Sequence, residues 1–160
     1  MTPQVKEFIK NHKDKLQGNV LEVGSLNVNG SARDVINVSL GIDMRHGNGV
    51  DLVCNISDFN QTGFDACVST ETLEHVEDWK SFVINTWNAV KDGGYLVMTM
   101  ASMKKGRHAY PDDYWRFTIE QIRAIYPSAE WVGDVGRISI GWVVKKEGFP
   151  NLDVIPYKVP

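Results

Sequence analysis

Short apolar segments of strand length alternate along this chain with segments of helical periodicity. A chain written this way buries a parallel sheet between two layers of helix. The strand-like segments are Asn19 to Val23, Ser39 to Met44, Val50 to Cys54, Phe64 to Thr70 and Tyr95 to Met100. Two more, near Glu130 to Val135 and Ile138 to Lys145, bring the expected count to seven. Thr2-Pro3 supplies an N-cap with proline at the first helical position, and Val5, Phe8, Ile9, His12 and Leu16 recur at helical spacing until Gly18. Asp78 caps a second helix carrying Trp79, Phe82, Val83, Trp87 and Val90; Lys91-Asp92-Gly93-Gly94 stops it, with the lysine near the C-terminal dipole. Thr118 and Gln121 form a capping-box start for a third helix, with Ile119, Ile122 and Ile125, closed by Pro127. Ser31 to Asn37 has room for a short helix at most.

At 160 residues the chain is expected to form one domain. Net charge is −3, from 17 basic and 20 acidic residues, which argues against a strongly basic face for nucleic acid. No apolar run approaches the length of a membrane span, and the first residues lack the apolar core of a signal peptide, so the expected location is cytoplasmic. Cys54 and Cys67, each inside an apolar run, are expected as free buried thiols. Histidines and carboxylates show no metal-site spacing, and no metal is expected.

The richest local signal is Val20-Leu-Glu-Val-Gly-Ser-Leu-Asn-Val-Asn-Gly30. A buried strand ends in an acid and a glycine, and a turn leads to a second glycine. Gly24 lets backbone approach a ligand, Glu22 sets a negative charge near a cationic one, and a helix start after the loop would offer N–H groups to a carboxylate. Asp43 ends the next strand-like segment at the spacing where an acid accepts hydrogen bonds from a ribose diol; a solvated strand-end carboxylate is the other reading.

Between Ala101 and Phe117 runs a long connection dense in aromatic rings. Its length and composition suit a binding loop. Tyr110, Tyr114 and Arg116 are its candidate substrate contacts. Alternatively, Trp115 and Phe117 pin the loop to the sheet while Arg116 pairs with Asp112 or Asp113. Lys104, Lys105 and Arg107 form a short basic cluster, either solvated or facing an acidic acceptor group.

Taken in order, Val20-Leu-Glu-Val-Gly, Gly41-Ile-Asp-Met, Phe64-Asp-Ala-Cys-Val-Ser, Leu73-Glu-His-Val and Val90-Lys-Asp-Gly-Gly resemble the class I S-adenosylmethionine-dependent methyltransferases, in particular the type 11 group. The resemblance spans roughly residues 18 to 100. It implies a doubly wound, Rossmann-like α/β fold: a seven-stranded, mostly parallel sheet with helices on both faces, in one domain. Residues 1–17 would be an N-terminal helix, 18–100 the cofactor half, and 101–160 the acceptor loop and last strands. It further implies that the loop Gly24, Ser25 to Gly30 holds the methionine part of the cofactor, Asp43 the ribose, Met44, Asn55 and Ile56 the adenine, and Ser69, Thr70 and Glu71 the amino-acid end. The chain departs from the family pattern at Leu26, where a second glycine is common, at the longer loop to Gly30, and at Asn55, where aspartate is common.

Pro111 to Thr118 resembles a Pro-x-Asp-Tyr-Trp-Arg-Phe-Thr segment of some type 11-like members associated with glycan or sugar-related pathways. The implied function is methyl transfer from S-adenosylmethionine, with S-adenosylhomocysteine as product, to an oxygen or nitrogen of a small polar acceptor, sugars included. A hydroxyl acceptor needs a base, for which His108, Asp113 and His75 are candidates; His75 fits a packing role beside the cofactor as well. The alternative is a protein that binds the cofactor without catalysis, or a partner subunit of another methyltransferase.

Overall fold

The structure is a computed structural model and describes residues 1–108 and 112–160. Helix α1 (Pro3–Asn11) leads to strand β1 (Val20–Val23), then β2 (Leu40–Asp43), β3 (Leu52–Val53) and β4 (Phe64–Thr70). Helix α2 (Trp79–Ala89) follows, then β5 (Val90–Ala101), β6 (Trp115–Arg116), α3 (Ile119–Ile125), β7 (Ala129–Val135), β8 (Ser139–Lys145) and β9 (Tyr157–Lys158). Three 3-10 turns interrupt the loops, at Ala32–Asp34, Ile56–Asp58 and Leu73–His75.

The main sheet has seven strands in the order β3-β2-β1-β4-β5-β8-β7, parallel except for β8, which runs antiparallel to both neighbours. From β1 the chain moves outward through β2 and β3, then returns to the other side of β1 as β4. A crevice opens at such a reversal, beyond the carboxyl ends of the strands. Each central strand is buried on both faces, and alternate residues feed two cores. Leu21, Val23, Cys67, Leu96 and Met98 pack with Phe82, Val83 and Trp87 of α2 and Ile122 and Ile125 of α3. Val20, Ala66, Val68 and Val97 pack on the opposite face with Val5, Phe8 and Ile9 of α1. This is the doubly wound, Rossmann-like single domain that the family resemblance implied, with the sheet covered on both faces as the segment alternation predicts.

Several boundaries differ from the sequence expectation. Helix α1 stops at Asn11, not Gly18, because the next residues turn: His12, Lys13, Lys15 and Leu16 donate to carbonyls three residues back, and the His12 ring bonds Phe8 O at 2.8 Å. Helix α2 ends at Ala89, and Val90 already pairs with Phe64 in the sheet. Lys91 does not cap that helix but bonds Asp65 at 2.8 Å. Strand β3 is two residues long, and Cys54 beyond it is only half-buried, while Cys67 is fully buried; both are free thiols. The capping box at Thr118 and Gln121 forms as expected, with both reciprocal bonds present. The β6–β9 pairing, which ties the end of the long connection after β5 to residues near 158, had no sequence signal.

Candidate cofactor and acceptor site

A cavity of about 470 Å³ lies beyond the carboxyl ends of β1, β2 and β4. A more open hollow of about 500 Å³ lies elsewhere, between the start of α1 and the β7–β8 turn, and gathers none of the cofactor candidates. The first cavity lies at the strand reversal where chemistry is expected, and its lining includes Glu22, Gly24, Ser25, Gly30, Asp43, Met44, Ile56, Thr70, Glu71, His75 and Tyr114.

Its floor is the turn after β1. Gly24 has φ +78° and lies so close to Thr72 that a Cβ there would collide with that side chain. The N–H groups of Gly24 and Ser25 both donate to Ile42 O, at 2.9 and 3.0 Å, locking the turn onto β2. The helix expected after this loop is only the 3-10 turn at Ala32. Its first N–H groups are taken internally: Ala32 donates to Glu22 Oε1 at 3.3 Å and Arg33 to Ser31 Oγ.

Glu22 is 3% exposed, and its Oε2 has no hydrogen-bond partner. Burial pushes its carboxyl up to about 7, against the opposing pull of the Ala32 N–H and the Arg33 charge. At neutral pH it is therefore poised between acid and anion. Asp43 accepts from Leu26 N at 3.3 Å and Arg45 N at 2.9 Å, so its carboxylate joins the glycine loop to the end of β2. Met44 is 64% exposed at the cavity wall.

Two of the cofactor candidates lie outside the lining. Asn55 caps the 3-10 turn by accepting from Ser57 N, and Ser69 donates to Val23 O at 2.8 Å, pinning β4 to β1. Thr72, Arg45, Cys54 and Asp112 line the cavity without having been singled out as cofactor candidates. Glu71 turns the chain at φ +51°, with Oε1 buried and unpartnered and Oε2 3.6 Å from Lys105 Nζ.

The other wall is formed by His75 and by Asp112 and Tyr114 of the long connection after β5. His75 Nδ1 donates to Asp112 O at 2.8 Å, an arrangement that leaves the Nε2 lone pair free. Burial holds the His75 ring below its ordinary pKa. Tyr114 lies beside Asp112, with its backbone N–H on Glu74 O. Glu74 itself is fully buried, accepts from Ala101 N at 3.0 Å, and is pushed up to about 8 by burial and by Glu71.

Asp113 and Arg116 are buried and hold each other through two hydrogen bonds, one of 2.7 Å. Burial pushes the Asp113 carboxyl up, but Arg116 and the His108 N–H outweigh it and hold it down at about 2. Asp113, Arg116 and His108 are outside the cavity lining, and the Arg116 pairing falls on Asp113 rather than Asp112. Tyr110 lies outside the described residues. The basic cluster is committed locally: Lys104 to Asp134, Lys105 to Glu71, Arg107 to Pro160 O.

Residues 21–98, nearly half of the chain, match the methyltransferase-domain family. No curated protein sequence matches the chain. Solved structures share its fold at low identity. The Burkholderia thailandensis 1,6-didemethyltoxoflavin-N1-methyltransferase, bound to its substrate and S-adenosylhomocysteine, superposes with TM-score 0.74 and 9% identity over 91% of this chain and 79% of its own. A SAM-dependent methyltransferase from Aquifex aeolicus gives 0.63 and 15%, covering 90% and 92%. The N-methyltransferase NodS from Bradyrhizobium japonicum, with S-adenosylhomocysteine, gives 0.63 and 15%, covering 92% and 89%.

Proposed function

We propose that this chain is a class I, type 11-like S-adenosylmethionine-dependent methyltransferase, a reading supported by its domain match and its fold, and that the cavity divides the work between cofactor and acceptor. The cofactor would lie along the ends of β1, β2 and β4, and the acceptor against His75, Asp112 and Tyr114. The acceptor is a small polar molecule with an oxygen or nitrogen nucleophile, sugars among them. The observation that carries this reading is the cavity, about 470 Å³, which runs from Asp43 and Met44 at one side to His75 and Tyr114 at the other.

The lining fits the cofactor. Gly24 lets the turn after β1 pack directly against Thr72, and Glu22 Oε2, Ser25 Oγ and Glu71 Oε1 are buried polar atoms without hydrogen-bond partners. Gly24 and Ser25 would hold its amino-acid part with Glu71, Asp43 would take the ribose, and Met44 and Ile56 would face the adenine. When bound, S-adenosylmethionine supplies an activated methyl group on a sulfonium. The chain's own task is then to hold the acceptor close and in line, which alone provides much of the rate. His75, with Nδ1 fixed on Asp112 O and Nε2 free, can accept a proton from a hydroxyl or ammonium acceptor. Tyr114 offers an aromatic face and Asp112 a carboxylate, a pairing suited to a polar ligand with apolar faces. Two of the similar structures are named as N-methyltransferases, which favours a nitrogen acceptor.

Calorimetric titration with S-adenosylhomocysteine and with NAD tests the cofactor half. Binding of the first and not the second is expected. Asp43→Ala should weaken it by about 1.5–3 kcal/mol, the range for hydrogen bonds to a charged group. Unchanged affinity in that variant would mean that the nucleotide lies elsewhere.

A further inference from the structure

We propose that His75, His108 and Asp113 form a binding site for one divalent transition-metal cation at the acceptor edge of the cavity. One ring nitrogen of each histidine and one carboxylate oxygen of Asp113 all lie within 4.8 Å of one another. A cation with bonds of about 2.0–2.2 Å holds its ligands roughly 3–3.5 Å apart. His108 Nδ1 and Asp113 Oδ2 are already 3.3 Å apart, and a bound cation would have to draw the remaining ligand atoms in from at most 4.8 Å.

The contact between His108 and Asp113 has an unusual character. Although Nδ1 is near the carboxylate, it is not oriented to hydrogen-bond, and both ring nitrogens of His108 are buried without a partner. Leaving an imidazole N–H buried and unpaired is costly. Two ligands directed at a common third atom have this geometry: close together, yet not aimed at each other.

The surrounding bonds are those that support a metal site. The Nδ1–H of His75 donates to a backbone carbonyl, which fixes the ring and leaves Nε2 to ligate. Arg116 holds the Asp113 carboxylate ionised and in place through two N–H groups. Arg116 and Lys105 oppose a cation, so the site is one of modest affinity. Two imidazoles and one carboxylate suit zinc, cobalt or ferrous iron and leave coordination positions open. A bound cation would occupy the His75 Nε2 lone pair in place of a proton, and would instead make an oxygen ligand bound to it more acidic. Any use of that acidity on an acceptor rests on the methyl-transfer reading; cation binding does not.

The test is titration of chelator-treated, tag-free protein with Co²⁺, read by visible d–d absorption. Bands that saturate at one Co²⁺ per chain and vanish on adding Zn²⁺ are expected. His108→Ala should weaken Co²⁺ binding at least tenfold, His75→Gln should do the same, and His46→Ala, at an exposed turn, should leave it unchanged. Circular dichroism checks that each variant is folded. A featureless spectrum, or His108→Ala and His75→Gln both binding within twofold of wild type, overturns the site. S-adenosylhomocysteine titrated into the same wild-type protein reports separately on the cofactor reading: cofactor bound with no Co²⁺ spectrum removes the metal site alone.

Discussion

Glu22 is the next-to-last residue of a strand buried on both faces, and its side chain meets one backbone N–H and a guanidinium 3.9 Å away. Those contacts do not compensate for the water it has lost, so its carboxyl is pushed up to about 7 from an ordinary 4.5. A raised carboxyl stabilises the folded state fully below the unfolded pKa, and that contribution is lost as pH rises through the folded pKa. The window is therefore about pH 4.5 to 7. The shift corresponds to a penalty on the order of 3 kcal/mol above pH 7. Glu22→Gln keeps the acceptor for Ala32 N–H and cannot ionise. The variant should gain stability over wild type at pH 8 and match it near pH 4.5, as measured by urea denaturation at both values. An equal difference at both pH values would mean that Glu22 does not titrate in this window. The identity of Glu22 as an acid before a glycine was legible in the chain; its raised pKa was not, because burial comes from strands and a turn distant in sequence.

Among the elements, the segment from Ser102 to Arg116 depends most on partners far along the chain. Trp115 Nε1 donates to Val76 O and Glu77 O, β6 pairs with β9, and Val159 N donates to Tyr114 O at 2.8 Å. The Asp113–Arg116 pair sits at its centre, with both side chains buried. Removing one partner of a buried pair leaves the other charge unmatched, which costs about 3–5 kcal/mol. Asp113→Asn should therefore lower the urea-unfolding free energy by that amount. A variant as stable as wild type would show that the pair contributes nothing to the loop. Local signals served well where an element is held by its own residues, as at Thr118 and Gln121, whose capping box forms. They could not reveal β6 and β9, two residues each, whose pairing spans more than forty positions.

For the whole molecule, the cavity is the common boundary of β1, β2, β4 and the connection after β5, so a ligand seated there ties them together. Anything bound only to the folded state stabilises it by mass action, about 2.7 kcal/mol at a hundredfold excess over Kd. In a domain of this size that raises the melting temperature by roughly 5–10 °C. S-adenosylhomocysteine should produce this shift in differential scanning fluorimetry, and NAD should not. No shift at saturating cofactor would contradict binding in the cavity.

Residues alone determined the layer architecture of this protein. Alternating strand and helix periods leave a parallel sheet with two covered faces as the way to bury both sets of apolar side chains. They also marked Gly24 and Asp43, because strand-end glycines and acids announce themselves by position. Three features were decided only by the tertiary structure. One is the burial that moves Glu22 and Glu74, which depends on what packs around a carboxyl rather than on its neighbours in the chain. Another is the choice of Asp113 over Asp112 as partner of Arg116, since both carboxylates lie within four residues of the arginine and only the fold selects between them. The last is the meeting of His75 with His108 and Asp113: thirty-odd residues separate the histidines, and no spacing rule connects them until β4 and β5 lie side by side and carry both loops to one edge of the sheet.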